Sequence, residues 1–423
     1  MLSRPGAAGS SQPCRRAVWI IVAVLIVALG IAQPVGAALF TCASGDVACL
    51  IVSINTANAN GEVNLIRLDA GTYTLTAVDN NTDGSNGLPS ITRPLTIGGN
   101  GSGNTIIERG ASAPEFRVFH VGQSGSLNLE DLTVRGGRWG FNQTSPPPDA
   151  QFGGGGLFNR GTTIMSHCAV TNNLNSFGGG GIASLGRLFI AGSTVADNQS
   201  HGPGGGILGN AAVMVINSSI RHNIAEGVGG GIAIRNAGGN VTIIGSTLVA
   251  NASGGSSGGG LYSDSTAVAI VNSTIANNNA DTAFGGGLFV AGGVVVNTTI
   301  AGNHTFNGGR ALSATSALAL HNTIISGPSD PISEACRGQV TSLDNNIFFD
   351  PNCAVALLPH DRTGDPGLGD FIDFGQPGRG FFLLAGNSQA LDAGDNAACL
   401  PTDQRGQLRS GGCDVGAVEG TNP

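Results

Sequence analysis

An all-β fold, a right-handed parallel β-helix of about ten rungs with a short N-terminal capping helix and a disulfide-bearing C-terminal cap, is predicted by three repeating features. Aliphatic anchors at Val170, Val195, Ile220, Leu248, Ile275 and Ile300 lie 25, 25, 28, 27 and 25 residues apart. Each is followed three residues later by asparagine: Asn173, Asn198, Asn223, Asn251, Asn278 and Asn303. Glycine runs beginning at Gly153, Gly178, Gly204, Gly229, Gly258, Gly285 and Gly308 keep the same period. A unit of this size with strand-like content cannot bury its apolar face alone and must stack on its neighbours.

Composition agrees with a solenoid. The chain has 70 glycines among 423 residues and 11% charged residues, yet 41% are hydrophobic, which supplies a core and excludes a flexible linker. The formal charge is −8 and every basic residue is arginine, so lysine chemistry and a basic nucleic-acid footprint are both excluded.

In chain order, Arg15 and Arg16 precede an apolar run from Ala17 to Ala32 and the small residues Val35-Gly36-Ala37. This is the layout of a secretory signal over residues 1–37 with cleavage after Ala37, or of an uncleaved membrane anchor; cleavage would leave a chain of charge −11. The twin arginines also fit a twin-arginine export signal. Residues 38–61 form an N-terminal cap in which Asp46 to Asn58 is predicted helical, with Leu50, Ile51 and Ile54 on its apolar face.

The β-helix is predicted over residues 62–328. Its regular rungs are preceded by weaker ones at Leu65–Leu68, Leu95–Ile97, Phe116–Val121 and Leu127–Val134, giving a rod roughly 50 Å long. Period-two alternation places Ile216, Ser218 and Ile220 on one interior face, and likewise Val271, Ser273 and Ile275, and Val296, Thr298 and Ile300. Small hydroxyls form an inward column at Ser193, Ser218, Ser246, Ser273 and Thr298, and Cys168 takes a place in it as a buried free thiol. The asparagines read as a structural ladder, suited to left-handed turns and to amide stacking. Glycine runs supply positive φ at another corner and, with no Gly-Lys-Ser/Thr following, are not phosphate loops.

Residues 329–423 lose the period and gain cysteines, as a C-terminal cap would. The eight cysteines fit an oxidising compartment, and their spacing predicts three local disulfides: Cys42–Cys49, Cys336–Cys353 and Cys399–Cys413. None has the spacing or histidine company of a zinc site, and no metal is expected.

The Gly-Gly-Gly-Ile/Leu and aliphatic-x-x-Asn repeats resemble bacterial right-handed parallel β-helix proteins, including the polymorphic outer-membrane type. Ala48 to Asn58, followed by Leu68 to Leu75 and Asn86-Gly87-Leu88-Pro89, is similar to the CSLREAI-type N-terminal module, with Ile51-Val52 in place of its Arg-Glu pair. The tail, with Asp392-Ala393-Gly394-Asp395, Cys399, Asp403-Gln404-Arg405-Gly406, Arg409 and Cys413 to Glu419, resembles the choice-of-anchor Q module of secreted bacterial β-helix proteins. The resemblance implies a pectate-lyase-like solenoid that is secreted or displayed at the cell surface; it does not imply a reaction. The chain stops at Pro423 without a sorting signal, terminal hydrophobic helix or translocator barrel, so a one-chain autotransporter is not expected.

Folds of this kind host polysaccharide lyases and hydrolases, but activity has to be read from a site. A lyase would want clustered carboxylates for calcium and an arginine base, and a hydrolase would want paired carboxylates. Between Gly153 and Pro328 the acidic residues are Asp197, Glu226, Asp264 and Asp281 alone. Register nonetheless brings Asp197 beside His222 and His201 beside Glu226, with Arg221 adjacent, as a candidate acid/base patch or a surface ion-pair cluster. The insertion Arg138 to Phe152 carries Trp139, Phe141 and Pro146-Pro147-Pro148, a candidate glycan-stacking loop. Outward hydroxyls at Thr194, Ser219, Thr247, Thr274 and Thr299 form a column of the kind that could order water, as in ice binding.

The reading that results is a secreted or surface-associated, non-catalytic β-helix scaffold, monomeric, binding glycan or another extracellular polymer, a polysaccharide or a cell-envelope component. The alternative is a polysaccharide lyase or glycoside hydrolase using Asp197, His222 and Glu226. No cofactor is expected except calcium under the lyase alternative, no nucleic acid partner is expected, and membrane contact is expected only through residues 1–37 if uncleaved.

Overall fold

Anchor pairs with anchor along the whole repeat: Val170 pairs with Val195, then Ile220, Leu248, Ile275 and Ile300 follow in parallel register. The computed structural model describes residues 38–141, 153–327, 334–354, 356–409 and 411–420. The expected signal segment and its cleavage point, and Pro146 to Pro148, lie outside the described residues. Ala38–Pro423 forms one compact unit.

Three parallel sheets wrap this unit. The second sheet holds the anchors and has 12 strands, because the column extends upstream through Val134 and Ile107 to Tyr73 and downstream through Ile325 to Phe348. The rod is therefore slightly longer than ten rungs, its end rungs having shed the glycine and asparagine marks. The first sheet has 19 strands in two stacks, short strands such as Ile182–Ser184 and longer ones such as Arg187–Ala191, which merge in Leu312–His321. The third sheet stacks 7 two-residue strands, from Arg138–Trp139 through Gln199–Ser200 and Ile224–Ala225 to His304–Thr305.

The corners correct two expectations about the rung. Ile216 is the outward end of the first-sheet strand Ala212–Ile216, whose interior residues are Val213 and Val215. Asn217, at φ 46°, then turns the chain into Ser218 and Ile220, both interior. The alternation is thus reset by a left-handed residue between sheets, and Val271 and Val296 are displaced in the same way ahead of Asn272 and Asn297. The left-handed position after each anchor falls two residues on, not three: Asn172, Asp197, His222, Ala250 and Asn277 have φ 52° to 56°. The ladder asparagines one residue later are buried and are explained by their amides alone.

At the glycine corner each run divides its labour. Gly204 takes φ 71°, which a side chain rarely adopts, while a Cβ on Gly205 would stand 2.4 Å from the carbonyl oxygen of Gly230 in the next rung.

At the N-terminus the helix Val47–Asn60 is capped by Asp46, whose carboxylate accepts from the Cys49 amide at 2.9 Å, and it ends at left-handed Gly61. Leu50 and Ile54 are fully buried in the rod's core, about 2 kcal/mol each of apolar burial that seals the open first rung. Cys42 is bonded to Cys49 beside this helix, Cys336 to Cys353 near the last rungs, and Cys399 to Cys413 in the tail.

The C-terminal region departs from a simple end cap. Parallel pairing continues past residue 328, through Cys336–Ser342 in the first sheet and Ile347–Phe348 and Arg362–Thr363 in the second. The chain then reverses and runs back over the outer face of the second sheet, with an antiparallel hairpin of Leu368–Asp373 and Gly380–Leu384. Phe381, Leu384, Ala390, Val415, Ala417 and Val418 bury themselves there against Ile324 and Ile347. The tail is a strap along one face.

Candidate functional site

The strap covers four of the five residues of the hydroxyl column, all but the half-buried Thr194 at its upstream end. The Gly378 amide donates to Ser219 Oγ at 2.9 Å, Thr247 Oγ1 donates to the Gly380 carbonyl at 2.8 Å, Thr274 Oγ1 donates to Gln404 Oε1 at 2.6 Å, and the Ala417 amide donates to Thr299 Oγ1 at 3.1 Å. These hydroxyls are buried partners of the chain's own tail and offer no surface for ordered water or ice.

Register delivers the expected imidazole and carboxylate pairs, in an open setting. His222 Nδ1 lies 3.7 Å from Asp197 Oδ1, and His201 Nδ1 lies 3.8 Å from Glu226 Oε2. The first pair occupies the left-handed turn before the third sheet and the second pair the residue after it, so they flank the outward residues Gln199 and Ile224. Side chains of the first pair are 55% and 53% exposed, and neither separation is a hydrogen bond. Arg221 faces the strap instead, its Nη1 3.6 Å from Asp373 Oδ2. Water reaches the four acid and base groups freely, which suits them to hydrogen-bonding a polar ligand and does not supply the excluded environment that strengthens proton-transfer catalysis.

Of the aromatic candidates, Trp139 is a correction: only 1% of it is exposed, so it presents no stacking face. Its ring packs 4.4 Å from the guanidinium carbon of Arg117, which is held on its other side 4.9 Å from Phe158. This pin also includes His120, whose Nε2 is 3.1 Å from Asp83 Oδ2, and Arg160, whose Nη1 is 2.8 Å from Asp83 Oδ1. Burial pushes the His120 imidazole down to about 4 and the Arg117 guanidinium down to about 9.

Phe141 behaves differently. It is half-buried, its amide donates to Glu115 at 3.0 Å, and Arg138 lies 4.2 Å over its ring. Its edge meets His201, centroids 5.1 Å apart at 87°. The structure thus joins two candidates that were separate in the sequence, the aromatic insertion and the imidazole patch.

The ladder residues are fully employed in structure. Asn198 receives the backbone and side-chain N–H groups of Asn173, both at 3.0 Å, and donates in turn to Asn223. The chain of amides continues through Asn251 and Asn278 to Asn303 at 2.9–3.0 Å. Cys168 lies beside the serine column, its amide donating to Ser193 Oγ at 2.9 Å. Burial pushes its thiol up to about 12, which rules it out as a nucleophile at neutral pH.

A cleft of about 470 Å³ near the last rungs had no signal in the sequence. His321, Asp344, Asn345, His360, Asp395 and Asn396 line it, drawn from a strand end, a turn, a loop and the strap. His360 Nδ1 is 2.7 Å from Asp344 Oδ2, and this hydrogen bond raises the imidazole above its ordinary value, while burial lowers His321 beside Asp395. The strap has to be laid on the rod before these residues meet. Among the described residues no group of three or more His, Cys, Asp or Glu side chains is arranged to hold a metal ion.

No protein-family profile and no curated protein matches the sequence. Among solved structures the fold is similar to that of pectate lyase Pel9A, with TM-score 0.50 and 15% identity over 92% of this chain and 98% of that one. At that identity the likeness is one of architecture: the chain is a parallel β-helix of the pectate lyase type.

Proposed function

We propose that the protein is a secreted or surface-associated β-helix scaffold that binds an extracellular glycan along the outer face of its third sheet and does not cleave it. The observation that carries this is the contact of Phe141 with His201, which sets an aromatic edge beside the exposed hydrogen-bonding groups of Gln199, Glu226, Asp197 and His222 on a rigid sheet. Sugars are held by that combination, a ring surface flanked by planar polar groups. The second sheet offers less, since the strap occupies its outer face. Disulfides at three positions accord with an oxidising, extracellular setting.

Size-exclusion analysis of neutral and acidic polysaccharides incubated with the purified chain, with and without calcium, tests the proposal. Co-elution of protein with intact polymer, weakened in Phe141→Ala and Glu226→Gln, is expected. Shortened polymer would replace this reading with the lyase or hydrolase alternative, and loss of the shortening in Asp197→Asn and His222→Ala would place it at the patch.

A further inference from the structure

The third sheet carries a second aromatic and imidazole pair with the same ring geometry as the first, here built within one rung. Phe306 is 73% exposed, and its edge meets His304 with centroids 5.0 Å apart at 84°. His304 is in the outward column of Gln199, Ile224, Ala252 and Asn279, and Phe306 is one residue past the strand end, as His201 and Glu226 are in their own rungs. Four rung steps separate the rung of His201 from that of His304, about 19 Å at the spacing of parallel strands. Between the two pairs the surface is polar, with Glu226, Asp281 and Asn279, apart from Ile224, a 46% exposed apolar residue one rung from the His201 end, and Ala252 at the middle.

We infer that Phe141 with His201 and Phe306 with His304 are the two end subsites of one linear binding track, and that its ligand is an extended neutral polysaccharide lying parallel to the rod axis. The inference rests on the glycan reading above and adds ligand length, direction and charge. A straight, equatorially linked sugar chain can run alongside the stacked rungs, which rise about 4.8 Å each, so that successive sugars meet successive rungs. A curved chain would lose that register after two or three units. Charge selects against polyuronates: Asp197, Glu226 and Asp281 face the track, Arg221 is turned to Asp373, and Arg138 is stacked on Phe141 and paired with Glu115 at 2.9 Å. Phe306 costs little to expose in the free protein only in the sense that one isolated ring is tolerated, so its position at the track's end is the informative feature.

Calorimetric titration of the full chain with size-graded neutral oligosaccharides, β-1,4-linked glucose, mannose and xylose series, tests the track, with oligogalacturonates and maltooligosaccharides as comparators. In one of the neutral series the hexamer is expected to bind at least tenfold more tightly than the trimer. Phe306→Ala should bring the hexamer down to the trimer's affinity, with an unchanged far-ultraviolet dichroism spectrum and thermal midpoint showing that the variant is folded. Equal affinity for trimer and hexamer, or no effect of Phe306→Ala on the hexamer, overturns the track, and if Phe141→Ala still weakens binding the scaffold reading survives it. Preference for oligogalacturonates overturns the neutral assignment, and absence of binding in every series, polymers included, overturns both readings together.

Discussion

Asn223 illustrates how much of this fold depends on single buried amides. Its backbone and side-chain N–H groups both donate to Asn251, its Nδ2 also donates to the Val195 carbonyl, and its Oδ1 accepts from Asn198. Asn223→Ala leaves donors of Asn198 and the Val195 carbonyl buried without partners and should cost about 4 kcal/mol, read as a lowered urea midpoint. Asn217→Gly, at a left-handed corner where neighbouring rungs already use Gly192 and Gly245, should change stability by less than about 1 kcal/mol. Cys168 should resist iodoacetamide in the native chain and react only in denaturant, as site-resolved mass spectrometry will show. For His120 the unfolded imidazole takes up a proton near 6.5 and the buried one only near 4, so the unfolded state binds more protons between those values. Stability from this site is complete above pH 6.5 and falls as pH drops toward 4, on the order of 3 kcal/mol in all. His120→Gln should flatten that limb of the stability curve while leaving the fold intact.

Among the elements the strap is the one whose contacts are least local. Gln404 makes two of them, its Nε2 donating to Thr247 Oγ1 at 3.0 Å and its Oε1 accepting from Thr274, and its Nε2 also ties the strap to itself through the carbonyls of Gly378 and Gly380 at 2.8–2.9 Å. Gln404→Ala strips partners from a buried interface and should loosen the strap by about 2–4 kcal/mol, detected as faster amide exchange over residues 376–384 and around Thr247. The rungs beneath, held by their own ladders, should keep their protection. The path of the tail over the second sheet was not legible because its apolar residues, Phe381, Leu384 and Val415, have no period that says which surface they cover.

For the whole Ala38–Pro423 unit, the stacked second sheet sets a length of about 53 Å for the parallel part. Small-angle scattering should give an elongated particle whose cross-sectional radius is unchanged by oligosaccharide, since a track on a rigid face needs no closure. An increase in length on adding polymer would report rods aligned along one chain.

The solenoid was legible because its cause is local and repeated: Val170, Asn173 and Gly178 recur at one period, and stacking turns that period directly into columns. The pairing of Asp197 with His222 and His201 with Glu226 was legible for the same reason, since register is arithmetic once the rungs are known, and the disulfides and the capping helix were legible because their partners are close in sequence. Tertiary structure alone decided what covers each column. Trp139 is buried because Arg117 and Phe177, from other rungs, pack against it. Thr247 and Thr274 are buried because Gln404 arrives from more than a hundred residues away. Contacts between segments that do not repeat carry no period, so neither the strap, nor the cleft at His321 and His360, nor the meeting of Phe141 with His201 could be counted off the chain.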